Sequence, residues 1–220
     1  MKKMIRALAV VPVLCTLPLT AMATTAELTV SGTITPATCS PSFSDAGVID
    51  HGNIDPANLS ATDFNTLQRK TVELNITCDA PAAFAVIVRD NRSSSVPTGI
   101  ETALSGPATA MLGLGAVDGK SIGAYKLSFN SGSFTSDTTP IFRNSNAGAW
   151  LALTAHEIIV DPTTDQQYSW TRQGGSTPQA YTALSARINV DTALNRANDL
   201  PSLSDDVTLD GSATLTMFHL

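Results

Sequence analysis

Leu28-Thr29-Val30-Ser31-Gly32-Thr33-Ile34 decides how the chain reads. Leu28, Val30, Gly32 and Ile34 alternate with Thr29, Ser31 and Thr33, a period of two that marks a strand burying one face. The same alternation returns at Thr71–Cys78, where Val72, Leu74 and Ile76 share a face, at Tyr181–Val190, and at Val207–Leu220. Phe84–Val88 is a short, nearly continuous apolar run, as expected of a strand covered on both sides. Gly47–Ile54 suggests another short strand. Met111–Val117 and Ile122–Phe129 form a hairpin around Asp118-Gly119, a strong two-residue turn signal. Asp79-Ala80-Pro81 predicts a turn. Asp90–Pro107 predicts a loop. The pattern weakens over 130–178, where Trp150–Leu153 and His156–Val160 are the expected strands. Short alternating runs punctuated by Gly, Pro, Asn and Asp, with no long helical period, predict an all-β sandwich with long central loops.

Patterning does not say which sheet residues 28–34 join. They are either an edge strand of their own domain or a strand meant for another molecule.

The residues ahead of them have a different character. Lys2, Lys3 and Arg6, the apolar run Leu8–Leu19 and the triplet Ala21-Met22-Ala23 predict a signal peptide over 1–23. The run is too short for a membrane-spanning helix, and the bulky Leu14 before Cys15 argues against lipoprotein processing. Residues 24–38 are then an arm and 39–220 one domain, a usual length for a single sandwich. Without Lys2, Lys3 and Arg6 the chain keeps 10 basic residues against 19 acidic ones. That balance argues against nucleic-acid binding, which needs a positive face. Cys39 and Cys78 remain once Cys15 is removed, and an even pair in an exported chain predicts a disulfide.

Several motifs suggest chemistry. Gly119-Lys120-Ser121-Ile122-Gly123 fits the nucleophile elbow, but that elbow needs a strand before it and a helix after it. Here a hairpin turn precedes and a strand pattern follows. The same residues fall short of a phosphate-binding loop, because the leading glycine is displaced to Gly113 or Gly115. His51, His156 and His219 give no ligand spacing, and Asp161, Asp205 and Asp206 are expected in turns. No metal, cofactor or enzymatic activity is expected. Trp150, Trp170 and Tyr181 could serve either as core or as a platform for a sugar.

Taken together, the arm, the cysteine at its end, the second cysteine closing Val72-Glu73-Leu74-Asn75-Ile76-Thr77-Cys78, and the terminal alternation Ala213, Leu215, Met217, His219 resemble the subunits of chaperone–usher pili. The middle of the chain resembles a fimbrial-like exported branch, notably over Leu112–Tyr125. His219 stands where that family usually has a penultimate tyrosine. The resemblance implies an immunoglobulin-like, pilin-type sandwich lacking its last strand, with Ala213, Leu215, Met217 and His219 on the edge that meets chaperone and donor. It implies that Leu28, Val30, Gly32 and Ile34 are donated to a neighbour by strand addition, a mode for which pilin complementation is a standard example. The expected partners are a periplasmic pilus chaperone, an outer-membrane usher and neighbouring subunits. The expected location is the periplasm during assembly, then a fimbrium at the cell surface. The alternative is an exported carbohydrate-binding adhesin whose central loops take a host or surface glycan.

Overall fold

The computed structural model describes residues 26–130, 138–143, 148–152, 157–172 and 174–220. The expected signal peptide, Leu153 and His156 lie outside these residues. The chain divides into two compact units, 1–35 and 36–220. In the first, residues 26–35 form no strand. Leu28 and Val30 are each 89% exposed and Ile34 is 97% exposed.

The second unit is an all-β sandwich of two antiparallel sheets. Its strands are β1 (Cys39–Phe43), β2 (Asn65–Thr66), β3 (Lys70–Ala82), β4 (Phe84–Asp90), β5 (Met111–Gly113), β6 (Ala116–Val117), β7 (Lys120–Ser121), β8 (Gly123–Asn130), β9 (Thr138–Arg143), β10 (Leu151–Ala152), β11 (Glu157–Ile159), β12 (Gln167–Arg172), β13 (Tyr181–Leu194) and β14 (Ala213–His219). One sheet runs β1-β3-β13-β8-β11, with β2 on β13 and β5 on β8. The other runs β10-β9-β12-β4-β14, and β6 pairs β7 as a separate hairpin. Among the described residues the only helical pieces are short 3-10 turns.

The expected alternation produces this core. Val72, Leu74 and Ile76 of β3 and Leu184, Ala186, Ile188 and Val190 of the adjacent β13 share the inner face of one sheet, all buried. Phe84, Val86 and Val88 cover them from the other sheet. Phe129 sits between Tyr168 and Trp170, with ring centroids 5.4 and 5.7 Å away. Burying each such side chain stabilises the fold by roughly 1.5–3 kcal/mol. Cys39 lies directly across from Cys78 in the β1–β3 ladder, and the two form the expected disulfide.

Four expectations are revised. Asp79-Ala80-Pro81 is not a turn: β3 continues to Ala82 and the chain crosses to the second sheet at Ala83. Pro81 is tolerated because β1 ends opposite Cys78, leaving β3 a free side there. Gly47–Ile54 forms no strand. The last strand starts at Ala213, not Val207. Residues 207–212 instead pack at the sandwich edge: the Asp210 amide donates to the Leu114 carbonyl at 2.9 Å and Arg92 Nε reaches Asp210 at 2.8 Å. Finally, β9 and β12 occupy the region where sequence patterning was weakest.

The loop after β4 is not loose. Its 3-10 turns place Ile100, Leu104 and Ala110 over Met111, Ala124 and Ala193, a second small core on the outer face of the first sheet. Beside it the buried Lys126 Nζ donates to the Leu104 carbonyl at 2.7 Å and lies 3.4 Å from Asp191. Arg69 bonds Asp191 and Glu157, each at 2.6 Å.

Candidate strand-acceptor cleft

Among the described residues β14 is an edge strand, paired only with β4, from Ala213↔Asp90 to His219↔Phe84. The ladder's parity follows from the bonds just beyond its ends. Asn91 N–H donates to the Ser212 carbonyl at 2.9 Å, and Leu220 N–H donates to the Ala83 carbonyl at 3.0 Å. In an antiparallel pair, bonded and non-bonded residue pairs alternate. Even-numbered residues of β14 therefore turn their backbone groups toward β4. Ala213, Leu215, Met217 and His219 turn theirs outward.

The same four residues share a face with Val88, Val86 and Phe84, their register partners or the neighbours of those partners. Leu215 and Met217 touch the core yet are only half-buried. Beside Leu215 opens an apolar cleft of about 370 Å³. β14 supplies Ala213 and Leu215 as one bank. The floor is Val72, Val190, Leu127 and Tyr125, and the opposite bank is Val48, Ile49 and His51.

That opposite bank is the segment expected to be a strand. It is extended at Val48 (φ −85°, ψ 126°), and no backbone–backbone hydrogen bond is made by residues 49–51 among the described residues. It follows three left-handed residues, Asp45 (φ 49°), Ala46 (φ 52°) and Gly47 (φ 78°), and precedes Gly52 (φ 66°). Non-glycine residues in this region are strained, and such strain tends to gather at functional sites. The cleft thus has one bank with an outward-facing strand edge and a second bank in which the Val48 amide bonds the Asp45 carbonyl at 3.0 Å while residues 49–51 make no backbone–backbone hydrogen bond among the described residues.

Charge is nearly absent from this cleft. His51 is its one basic side chain among the lining residues; its Nε2 lies 3.0 Å from Thr192 Oγ1. Burial pulls the imidazole below its usual range, the nearby Lys70 adds to this, and Asp50 opposes it. Burial likewise pushes the Tyr125 phenol up.

Of the other candidates, Ser121 ends β7 in a hairpin whose turn residues Asp118 (φ 51°) and Gly119 (φ 76°) are both left-handed. The chain then continues as β8, so the helix of a nucleophile elbow is missing. Trp170 is buried beside Phe84 and Phe129. Trp150, Trp170 and Tyr181 therefore do not form a shared exposed platform. Trp150 instead stacks under the Arg143 guanidinium, 4.6 Å away. Both border a second, open recess that also includes Pro178, Phe218 and His219. No group of three or more His, Cys, Asp or Glu side chains among the described residues is placed to hold a metal.

Ala213, Leu215, Met217 and His219, expected on a terminal strand, lie on β14; sequence patterning did not place His51 or its neighbours Val48 and Ile49 beside them. A histidine inside the strand-like stretch Gly47–Ile54 was the available signal. In the first unit, a Cβ built at Gly32 meets nothing within 4 Å.

Comparison with known proteins adds two kinds of match. A family model described as "Protein of unknown function (DUF1120)" matches residues 28–126. That range holds Leu28–Ile34, Cys39, Cys78 and the segment Val48–His51. Protein GltF of Escherichia coli K12 is 30% identical over 186 residues, covering 70% of each chain. Uncharacterized protein YhcF of the same organism is 28% identical over 186 residues, covering 73% of this chain and 76% of its own.

Proposed function

The chain belongs to the DUF1120 family, and from that premise we propose that it is a non-enzymatic structural subunit of a fimbria-like fibre, assembled by donation of a strand from one copy to the next. One observation carries the reading: the outward backbone edge of β14 borders an apolar cleft, and on the cleft's other bank residues 49–51 make no backbone–backbone hydrogen bond among the described residues. An extended peptide laid there would gain main-chain hydrogen bonds along the edge and would bury alternate side chains.

The arm has the matching chemistry. Leu28, Val30 and Ile34 are exposed apolar residues at alternate positions, and Glu27 is the only charge from Ala26 to Thr35. Each side chain entering the cleft would contribute roughly 1.5–3 kcal/mol of gross burial. Gly32 would lie at the point of closest approach. Before the neighbour's arm arrives, a periplasmic pilus chaperone would hold the cleft, and an outer-membrane usher would exchange one strand for the other. This reading makes the chain an exported protein that ends in a fimbrium at the cell surface. Disulfide formation between Cys39 and Cys78 fits an oxidising compartment.

The test is co-expression with and without a pilus chaperone, followed by sizing. A one-to-one complex supports the reading; a stable monomer with no affinity for chaperone or arm peptide opposes it. The recess beside Trp150 and Arg143 favours a second reading, an exported carbohydrate-binding module. Glycan-array binding by the monomer, lost in Trp150→Ala, would support that instead.

A further inference from the structure

We propose that His51 links occupancy of the cleft to protonation, so that a docked strand is held by the neutral imidazole and weakened when the imidazole becomes charged. This rests on the strand-acceptor reading and adds regulation to it. The geometry carries the argument. His51 lies on the cleft wall, on the unpaired bank, with Nε2 3.0 Å from Thr192 Oγ1 of β13.

The rest of the lining is apolar apart from the Tyr125 phenol and the Thr192 hydroxyl. The charged groups acting on His51 are Lys70 at the start of β3, which disfavours a second positive charge, and the adjacent Asp50, which favours it. Of the groups facing the cleft from β8, Tyr125 stays neutral in any ordinary buffer, because burial pushes it up.

In the empty cleft, water reaches His51 and can solvate an imidazolium. A peptide such as Leu28–Ile34, which brings no carboxylate of its own, would exclude that water. The charged form would then lose solvation without gaining a partner, and burial of an unpaired charge is costly. Linkage fixes the sign. If occupancy lowers the proton affinity of His51, protonation lowers the affinity for the strand by the same factor. Binding is therefore tight above the imidazole's titration range and falls as pH drops through it. Histidine is the side chain suited to such a change between about pH 5 and 8. A tenfold drop in proton affinity on docking gives up to about tenfold weaker binding at low pH.

The test measures binding of a fluorescent peptide spanning Ala26–Pro36 to the purified full chain between about pH 7.5 and about pH 5. Glu27→Gln in the peptide removes its own titration. Tryptophan emission reports whether the core around Trp170 stays native. The expected result is about three- to tenfold weaker binding at the acid end. In His51→Gln, which keeps a polar group near Thr192, binding changes less than about twofold. A flat profile in the natural protein, or the same slope in His51→Gln, overturns the proposal while leaving the cleft reading intact. Loss of native tryptophan emission over the same pH range assigns the weakening to unfolding and overturns it too. Absence of peptide binding at every pH overturns both.

Discussion

Proline substitutions at neighbouring positions of β14 separate its two edges. Ala213 and Thr214 are both exposed, but ladder parity gives their amides opposite roles. The Thr214 amide points to β4, opposite Arg89; the Ala213 amide points away from it. Thr214→Pro removes a ladder bond and leaves a carbonyl without its donor, at a cost of about 2–4 kcal/mol. Ala213→Pro removes an amide the isolated sandwich does not use, at the first position of an edge strand, where proline is tolerated. Its melting free energy should stay within about 1 kcal/mol of the natural protein. On docking the order inverts. Ala213→Pro deprives the incoming strand of one hydrogen bond and leaves its carbonyl unpaired, together about 1.5–4 kcal/mol. That corresponds to roughly ten- to a thousandfold weaker binding. Thermal melts of both variants, with titration of the arm peptide by polarisation, read the two effects separately. Ala213→Pro melting as early as Thr214→Pro, or binding the peptide as well as the natural protein does, would refute the assignment of the free edge.

Further tests act on other parts of the account. Gly32→Leu should fold normally, since a Cβ there meets nothing within 4 Å; its arm peptide should bind about ten- to a hundredfold more weakly through overpacking, measured by the same titration. Replacing both Cys39 and Cys78 by Ala opens a link spanning 39 residues and should cost about 4 kcal/mol on the chain-entropy estimate, read by denaturant unfolding. Gly113→Ala should lower stability by about 1–3 kcal/mol or more, because its Cβ would collide with the Arg92 carbonyl and Ser95 Oγ. Asp210 is held below the usual carboxylate range chiefly by its hydrogen bond to Arg92. Its contribution is present above the ordinary aspartate range and is lost as pH falls through its depressed value. Arg92→Gln should flatten that part of the acid-unfolding profile.

Strands that bury one apolar face could be read from sequence. β3, β4 and β13 carry mostly Val, Leu, Ile or Phe at their inward positions, as at Val72, Leu74 and Ile76, at Phe84, Val86 and Val88, and at Leu184, Ile188 and Val190, so period two was visible. β12 was hidden because its outer face is buried as well, through Gln167, Ser169 and Thr171. Ser169 Oγ donates to the Phe84 carbonyl at 2.7 Å, which lets a polar residue occupy a covered position. Apolar alternation does not report such a site. The unpaired bank was misread for a related reason. Val48-Ile49 has strand character, but pairing depends on a neighbour, and among the described residues no strand pairs with this segment. The inward side of β14 was legible from Leu215 and Met217. The cleft beside it was not legible from the residues themselves, because composition and periodicity do not report how two sheets meet at an edge. Residues Val207–Ser212 showed the opposite failure: their alternation is real, but Gly211, whose Cβ would lie 3.0 Å from both Leu114 and Tyr125, packs against the sandwich edge rather than extending β14.

The most direct measurement is amide hydrogen exchange along β14, with and without the Ala26–Pro36 peptide. In the protein alone, the amides of Thr214, Thr216 and Phe218 should exchange slowly, and those of Leu215 and Met217 quickly. Saturating peptide should slow Leu215 and Met217, and also Ile49 and His51 on the far bank. Slow exchange at Leu215 and Met217 before peptide is added, or fast exchange there at saturation, would contradict the claim that the sandwich awaits a strand from outside.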